Sequence, residues 1–257
     1  MRLFGLIGFP LSHSFSEKYF TEKFRREGIA DASFQLFPIE TIDALTSLLD
    51  AKPELRGLSV TIPYKEKILP FLDKLDETAK AVGAVNCIRI ERRMEDEDRN
   101  KPRFFLTGFN TDVHGFRQSL KPFLASQHER ALILGTGGAS KAVEFVLKTI
   151  GVECIFVSRE KKALPGKTVL TYEELNEYVL SACKLIVNCS PMGTFPNENE
   201  APAIPYKFIT DQHFLYDLVY NPAETEFLKR GKAKGALTLN GYDMLKMQAE
   251  KAWENWN

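Results

Sequence analysis

In "ALILGTGGASKAVEFVLKTIG", residues 131–151, three glycines in four residues separate an apolar run from a helical pattern. Gly135 and Gly137 fill the first two positions of the dinucleotide fingerprint G-x-G-x-x-G, while Gly138 comes early and Ser140 holds the sixth position. The first glycine permits a tight turn and the second lets backbone N–H groups approach a pyrophosphate, whose charge the following helix N-terminus favours. Ser140 keeps the sixth side chain small enough for close helix–strand packing. A glycine turn without a ligand is the plainer reading, but the strand–turn–helix setting is the one that gives the motif meaning. Gly135, Thr136, Gly137, Gly138 and Ala139 are therefore candidate cofactor-binding residues. No G-x-x-x-x-G-K-[ST] can be read here, so the loop is not a P-loop.

Alone, the loop leaves NAD, NADP and S-adenosylmethionine open. The next strand ends "FVSREKK", placing Ser158 and Arg159 where an NAD-binding chain carries an acid for the ribose hydroxyls. Arginine can hold a 2′-phosphate bidentately, so this strand end points to NADP, with Lys161 and Lys162 in support and Glu160 against. A later strand end, "NCSPMG", places Asn188 and Ser190 on the nicotinamide side, and Met192 and Gly241 complete the expected cofactor surface.

The first half carries polar residues that packing alone does not require. "PLSHSFSEKYF" sets Ser12, Ser14 and Ser16 between a strand and a helix; "SVTIPYKEK" ends a buried strand at Thr61 and places Lys65 beyond a proline. "GAVNCI" puts Asn86 inside an apolar strand, where an unpaired amide is costly, and "GFNTDVHGF" opens a helix with Asn110, Thr111 and Asp112. Each has a dull explanation: Ser16 or Thr111 as an N-cap, Asn86 as a satisfied core amide, Lys65 as a solvated helix start. Together they lie at strand ends, where open α/β sheets bind ligands, and their hydroxyls and amides suit a small polyhydroxylated substrate. No Ser–His–Asp elbow or metal-ligand cluster is present, and His13 and His114 stand alone.

The elements that must position these groups alternate throughout. Strands are expected at "RLFGLIG", "SFQLFPI", "GLSVTI", "AVNCIRI" and "RFFLTGF", with helices through "SEKYFTEKFRREG", around "IDALTSLLD" and from about Lys65. The stretch 91–102 reads as a charged hairpin loop. In the second half "ALILG", "VECIFVS", "KLIVNCS" and "FLYDLVY" read as buried parallel strands, with helices after the glycine turn and through "YEELNEYVLSA". This predicts an α/β fold of mostly parallel sheets in two domains, joined near residues 110–112.

In order, "SHSFS", "VTIPYKE", "GAVN", "GFNTDVHGF", "LGTGGASKA", "NCSPMG", "YDLVYNP" and "NGYDMLKMQA" resemble the shikimate dehydrogenase family nearly end to end. The resemblance implies NADPH-dependent reduction of 3-dehydroshikimate to shikimate, with Lys65 and Asp112 as the catalytic pair. It further implies that Ser14, Ser16 and Tyr220 bind the substrate carboxylate, and that Thr61, Asn86 and Gln248 bind its hydroxyls. The expected organisation is a substrate-binding domain over 1–111 completed by a C-terminal helix at 240–257, a Rossmann-type NADP-binding domain over 112–239, and a cleft between them. Rival readings are a quinate/shikimate dehydrogenase using NAD or both cofactors, and a non-catalytic NADP-binding regulatory paralogue.

Bulk composition is compatible with this. The 257 residues balance 34 Lys+Arg against 34 Asp+Glu, which argues against a nucleic-acid footprint or an anionic membrane surface. The four cysteines form no C-x-x-C pair and read as reduced, buried thiols. No apolar run approaches bilayer length, the N-terminus lacks a secretory pattern, and no metal is implied. The expectation is a soluble cytoplasmic enzyme, monomeric or homodimeric, with a small-molecule substrate.

Overall fold

The computed structural model describes residues 1–11, 14–92, 104–161 and 163–257. Ser12, His13, Lys162 and most of the charged 91–102 stretch therefore lie outside the described residues. The chain divides into two compact units, Met1–Thr111 with Ala249–Asn257, and Asp112–Gln248.

The first unit contains β1 (Arg2–Gly8), α1 (Phe15–Arg26), β2 (Ala32–Pro38), α2 (Ala44–Ala51), β3 (Leu55–Val60), β4 (Lys74–Leu75), α3 (Glu77–Val82), β5 (Cys87–Arg92) and β6 (Phe104–Phe109). Its sheet has the order β2-β1-β3-β5-β6-β4. All neighbours are parallel except β5, which runs against both β3 and β6. β1 shows why the sheet is covered on both faces. Leu3 and Ile7 enter one core with Leu45, Leu49 and Leu58, while Phe4 and Leu6 enter another with Phe20, Phe24 and Trp256. That alternation is the period of two that a strand imposes.

The expected helix at Lys65 does not form. Pro70 removes the donor that would bond Glu66 O and its ring crowds that carbonyl, and the segment instead makes successive turns, Tyr64 N to Thr61 O (2.9 Å) and Ile68 N to Tyr64 O (2.9 Å), before a 3₁₀ turn at Leu69–Phe71.

The second unit begins within α4 (Thr111–Leu120) and continues through β7 (Arg130–Leu134), α5 (Gly138–Thr149), β8 (Glu153–Ser158), β9 (Thr168–Thr171), α6 (Glu177–Ala182), β10 (Leu185–Asn188), β11 (Phe214–Asp217), α7 (Glu226–Lys232), β12 (Leu237–Leu239) and α8 (Tyr242–Trp256). Its all-parallel sheet has the order β12-β11-β10-β7-β8-β9, the doubly wound arrangement whose strand order reverses between β7 and β10. The helix expected through "YEELNEYVLSA" is split into a 3₁₀ turn, Tyr172–Glu174, and α6. Asn176 causes the break, because its Oδ1 accepts from Tyr178 N (3.0 Å) and Val179 N (3.1 Å) and so starts a new helix.

The sequence pattern assigns all of 240–257 to the first unit, whereas the division falls inside α8, between Gln248 and Ala249. From Ala249 onward the helix packs on Phe4, Phe20 and Phe24, and Trp256 Nε1 donates to Ile88 O at 3.0 Å. Phe4 and Trp256 stack with centroids 5.1 Å apart. Among the described residues no helix is long and apolar enough to cross a membrane.

Gly57 is the point where this helix presses on the sheet: a Cβ there would lie 2.5 Å from Trp256 Cγ and Nε1. Gly57→Ala should therefore displace the buried indole and lower stability by about 1–3 kcal/mol, the usual cost of overpacking. Urea unfolding followed by tryptophan fluorescence checks this, since both tryptophans belong to the first unit. Unchanged stability would contradict it.

Candidate active site

In the first unit the polar groups gather where β1, β3 and β6 end and the antiparallel β5 begins. Ser14, after β1, is the N-cap of α1; its Oγ accepts from Ser16 N at 3.1 Å. The cap is thus Ser14 rather than Ser16, which is buried in the first helical turn. After β3, Thr61 N donates to Ile7 O at 3.0 Å, and the carbonyl of the half-buried Lys65 accepts from Val85 N at 2.7 Å. Asn86 precedes β5 and is held from both sides, with Val60 N donating to its carbonyl (2.8 Å) and its own N–H donating to Phe109 O (3.1 Å). These backbone bonds fix Thr61, Lys65 and Asn86 along one edge of the sheet.

The Asn86 side chain fastens the start of α4. Its Oδ1 accepts from Thr111 N at 2.7 Å, and its Nδ2 donates to Thr111 Oγ1 at 3.0 Å. Thr111 is accordingly the first helical residue and takes its cap from Asn86. Asn110 is anchored similarly, its Nδ2 donating to Ala84 O at 2.8 Å. Asp112 follows, buried, in the first turn of α4.

The second unit builds a ligand edge from the glycine turn. Gly135 has φ +107°, a conformation that side chains other than glycine rarely adopt, and its N–H donates to Val157 O at 2.9 Å. Gly137 is the N-cap of α5 and supplies no side-chain acceptor for the helix's first N–H groups. A Cβ at Gly137 would meet nothing within 4 Å. An open approach to the backbone amides at a helix N-terminus fits a pyrophosphate. Thr136, Gly138 and Ala139 share this turn, and Ser140 is buried beneath it, its Oγ donating to Gly137 O at 2.6 Å. At the end of β8, Ser158 is buried and Arg159 exposed. Lys161 is paired with Glu174 at 2.5 Å, so its ammonium is already compensated.

Beside the glycine turn, Cys189 N donates to Leu134 O at 2.9 Å, bringing the segment after β10 alongside it. Asn188 is fully buried, and its amide shapes that segment. Its Oδ1 accepts from Ser190 N (3.0 Å) and Ser190 Oγ (2.6 Å), while its Nδ2 donates to Met192 O (3.4 Å) and Asp217 Oδ1 (2.9 Å). Both faces of the amide are thereby occupied within the protein, so Asn188 organises the turn that carries Ser190 and Met192. Tyr220 is partly exposed after β11. Gly241 N donates to Val219 O at 3.1 Å and its Cα lies against the Leu218 backbone, where a Cβ has no room. Gln248, half-buried on α8, donates through Nε2 to Leu245 O at 3.0 Å.

Sequence reasoning missed Asp217 and Thr225, both fully buried. Asp217 Oδ1 also accepts from Val219 N (3.0 Å), and Oδ2 accepts from Thr225 Oγ1 (2.5 Å). Burial pushes its carboxyl up to about 6, against the opposing pull of the Thr225, Val219 and Asn188 donors. The signal was available: an acid at the end of the apolar run "FLYD" is as anomalous as the amide in "GAVNCI". Among the described residues no group of three or more His, Cys, Asp or Glu side chains could hold a metal ion.

Comparison with known proteins places this geometry. The shikimate dehydrogenase substrate binding domain matches residues 6–88. A shikimate dehydrogenase (NADP(+)) from Carboxydothermus hydrogenoformans is 38% identical over 271 residues, covering 99% of this chain and 91% of the relative. The chain belongs to the shikimate dehydrogenase family. Among solved members, the Thermus thermophilus enzyme in complex with NADP(H) and shikimate is 29% identical, with a TM-score of 0.81, covering 100% of this chain and 94% of that one. A quinate dehydrogenase from Corynebacterium glutamicum in complex with NAD is 28% identical, with a TM-score of 0.83, covering 100% and 93%. The family's two-domain α/β architecture is thus the one seen here.

Asn86→Ala should leave Thr111 N without its acceptor and lower stability by about 1–3 kcal/mol, the usual penalty for a buried donor stripped of its partner. Chemical denaturation measures this directly; a variant as stable as the parent would show that the clamp is dispensable to the fold.

Proposed function

We propose that the chain reduces 3-dehydroshikimate to shikimate with NADPH. The observation that carries this reading is the glycine turn of the second unit, open toward a pyrophosphate, in a chain whose curated relatives are named as NADP-dependent shikimate dehydrogenases. When bound, NADPH supplies the hydride.

The chain's own residues manage the substrate and the proton. Negative charge develops on the reacting carbonyl oxygen as hydride arrives, and the Lys65 ammonium donates a hydrogen bond and then its proton to that oxygen. Asp112 accepts from the hydroxyl that forms and so orients it. Ser14, Ser16 and Tyr220 bind the carboxylate, and Thr61, Asn86 and Gln248 bind the ring hydroxyls. Support for Lys65 as donor comes from its fixed backbone: its carbonyl bond to Val85 anchors the side chain's origin independently of the ammonium. On the cofactor side, Gly135 to Ala139 receive the pyrophosphate, Arg159 holds the 2′-phosphate, and Ser190, Met192 and Gly241 border the nicotinamide half.

Incubation with shikimate and NADP⁺, monitored for reduced nicotinamide, tests the assignment. Parallel reactions with quinate and NAD⁺ separate it from the quinate dehydrogenase reading, and silence in all four mixtures would favour a non-catalytic paralogue. Lys65→Ala should lower kcat by about 10²–10⁴-fold, the usual contribution of a general acid, with a much smaller change in the KM for shikimate. Near-normal turnover would remove Lys65 from this role. Arg159→Ala should lower kcat/KM with NADP⁺ by roughly 10- to 150-fold, as loss of a charge-assisted bond predicts, and change the value with NAD⁺ little. Equal losses with both cofactors would show that the guanidinium does not read the 2′-phosphate.

A further inference from the structure

Asp217 is a fully buried carboxylate to which the catalytic scheme assigns no part. It lies at the end of β11, one strand beyond β10 and two beyond β7, whose end carries the glycine turn. Arg159 stands past β8, on the opposite side of that turn. A dinucleotide lying across the strand-order reversal with its 2′-phosphate on the β8 side therefore extends its nicotinamide half toward the segment after β10. That segment, residues 189–193, has no regular structure of its own, and Gly193 closes it at φ +86°.

What fixes it is the direction of the Asn188 amide, with its oxygen toward Ser190 and its NH₂ toward Asp217 and Met192 O. An amide can be flipped, but a carboxylate only accepts, so Asp217 dictates which end faces it. The same carboxylate also holds the following segment. Val219 N and Thr225 Oγ1 both donate to it, which brackets the stretch 218–225 that carries Tyr220. A backbone bond, Phe195 N to Asn221 O at 3.2 Å, ties the two segments further out. An apolar residue at 217 could fill the volume without orienting the amide. A buried charge opposed by its own desolvation has this use here.

We propose that Asp217 is a positioning residue for cofactor binding: it orients Asn188 and so sets the 189–193 turn that receives the nicotinamide half of NADP. The proposal rests on the cofactor assignment made above. It separates Asp217 from a merely structural acid because it affects one half of the cofactor and leaves the other untouched.

The test compares NADP⁺ with 2′,5′-ADP, which carries the adenosine, the 2′-phosphate and a 5′-phosphate but no nicotinamide, by calorimetry on the full chain. Asp217→Ala should raise the Kd for NADP⁺ about tenfold while that for 2′,5′-ADP moves less than about twofold, a difference of one charge-assisted contact. Asp217→Asn keeps an acceptor for Asn188 and Val219 and can donate to Thr225, so it should restore NADP⁺ affinity to within about threefold of the parent. Thr225→Val, which removes one donor and keeps the volume, should shift NADP⁺ in the same direction by a smaller factor. It decides the matter if Asp217→Ala does not fold, since an unchanged affinity would then overturn the proposal. For a folded Asp217→Ala, parent-like NADP⁺ binding, or equal loss of both ligands, overturns it as well. A parent chain that binds no NADP⁺ would instead overturn the cofactor assignment.

Discussion

Asn86 and Asn188 each stand where the chain enters or leaves a strand, in dry surroundings, and each uses its amide to hold the adjoining segment. Buried amides without partners cost several kcal/mol on transfer scales, so the segments they hold cannot drift without exposing that cost. Asn86 holds the first turn of α4 through Thr111, and Asn188 holds the turn through Ser190. At the first edge Thr111, and with it the helix turn that carries Asp112, takes its position from Asn86, and at the second Ser190 and Met192 take theirs from Asn188. The hydrophobic cores make the sheets, and buried polar pairing makes their edges specific.

The two units reach this arrangement by different topologies. In the second, uniform parallel pairing puts all strand ends on one edge, and the strand-order reversal separates the loops after β7 and β10. In the first, the antiparallel β5 brings its beginning, not its end, to that edge. Asn86 can therefore lie between Val60, at the end of β3, and Phe109, at the end of β6, and bond to both. A parallel strand in the same place would have delivered its other end. The inversion is what lets an amide from one strand cap a helix launched from the next.

Legibility in the sequence followed the strength of local signals. The near-continuous apolar runs gave the central strands, and the glycine turn was recognisable because strand, turn and helix agree locally. The short strands β4, β9 and β12 were not read, since two to four residues carry no usable period and depend on a neighbour already in place. The helix expected at Lys65 does not form because Pro70 interrupts it within its first two turns, outweighing its polar, helix-favouring composition. Ser14 rather than Ser16 became the cap because the helix starts one residue after Ser14, a boundary that sequence resolves poorly. Asp217 is hard to read from sequence for a different reason: its partners at 188, 219 and 225 are brought together only by the fold.

The cofactor edge shows how local compensation limits what charge alone can do. Arg159, Lys161, Glu160 and Glu174 crowd the end of β8, and Lys161 is held by Glu174, which also accepts from Thr171 N at 2.7 Å and so is fixed by the capping of its own turn. Among the described residues there, the two acids offset the two bases, so little net positive charge is left to attract a phosphate. Exposed charges are also screened beyond about 8–10 Å at physiological ionic strength, so distant lysines contribute little. For the proposed role of Arg159, the source of selectivity is then contact geometry, the planar fork of its guanidinium against phosphate oxygens. On that footing a lysine at position 159 would keep the charge and lose most of the discrimination.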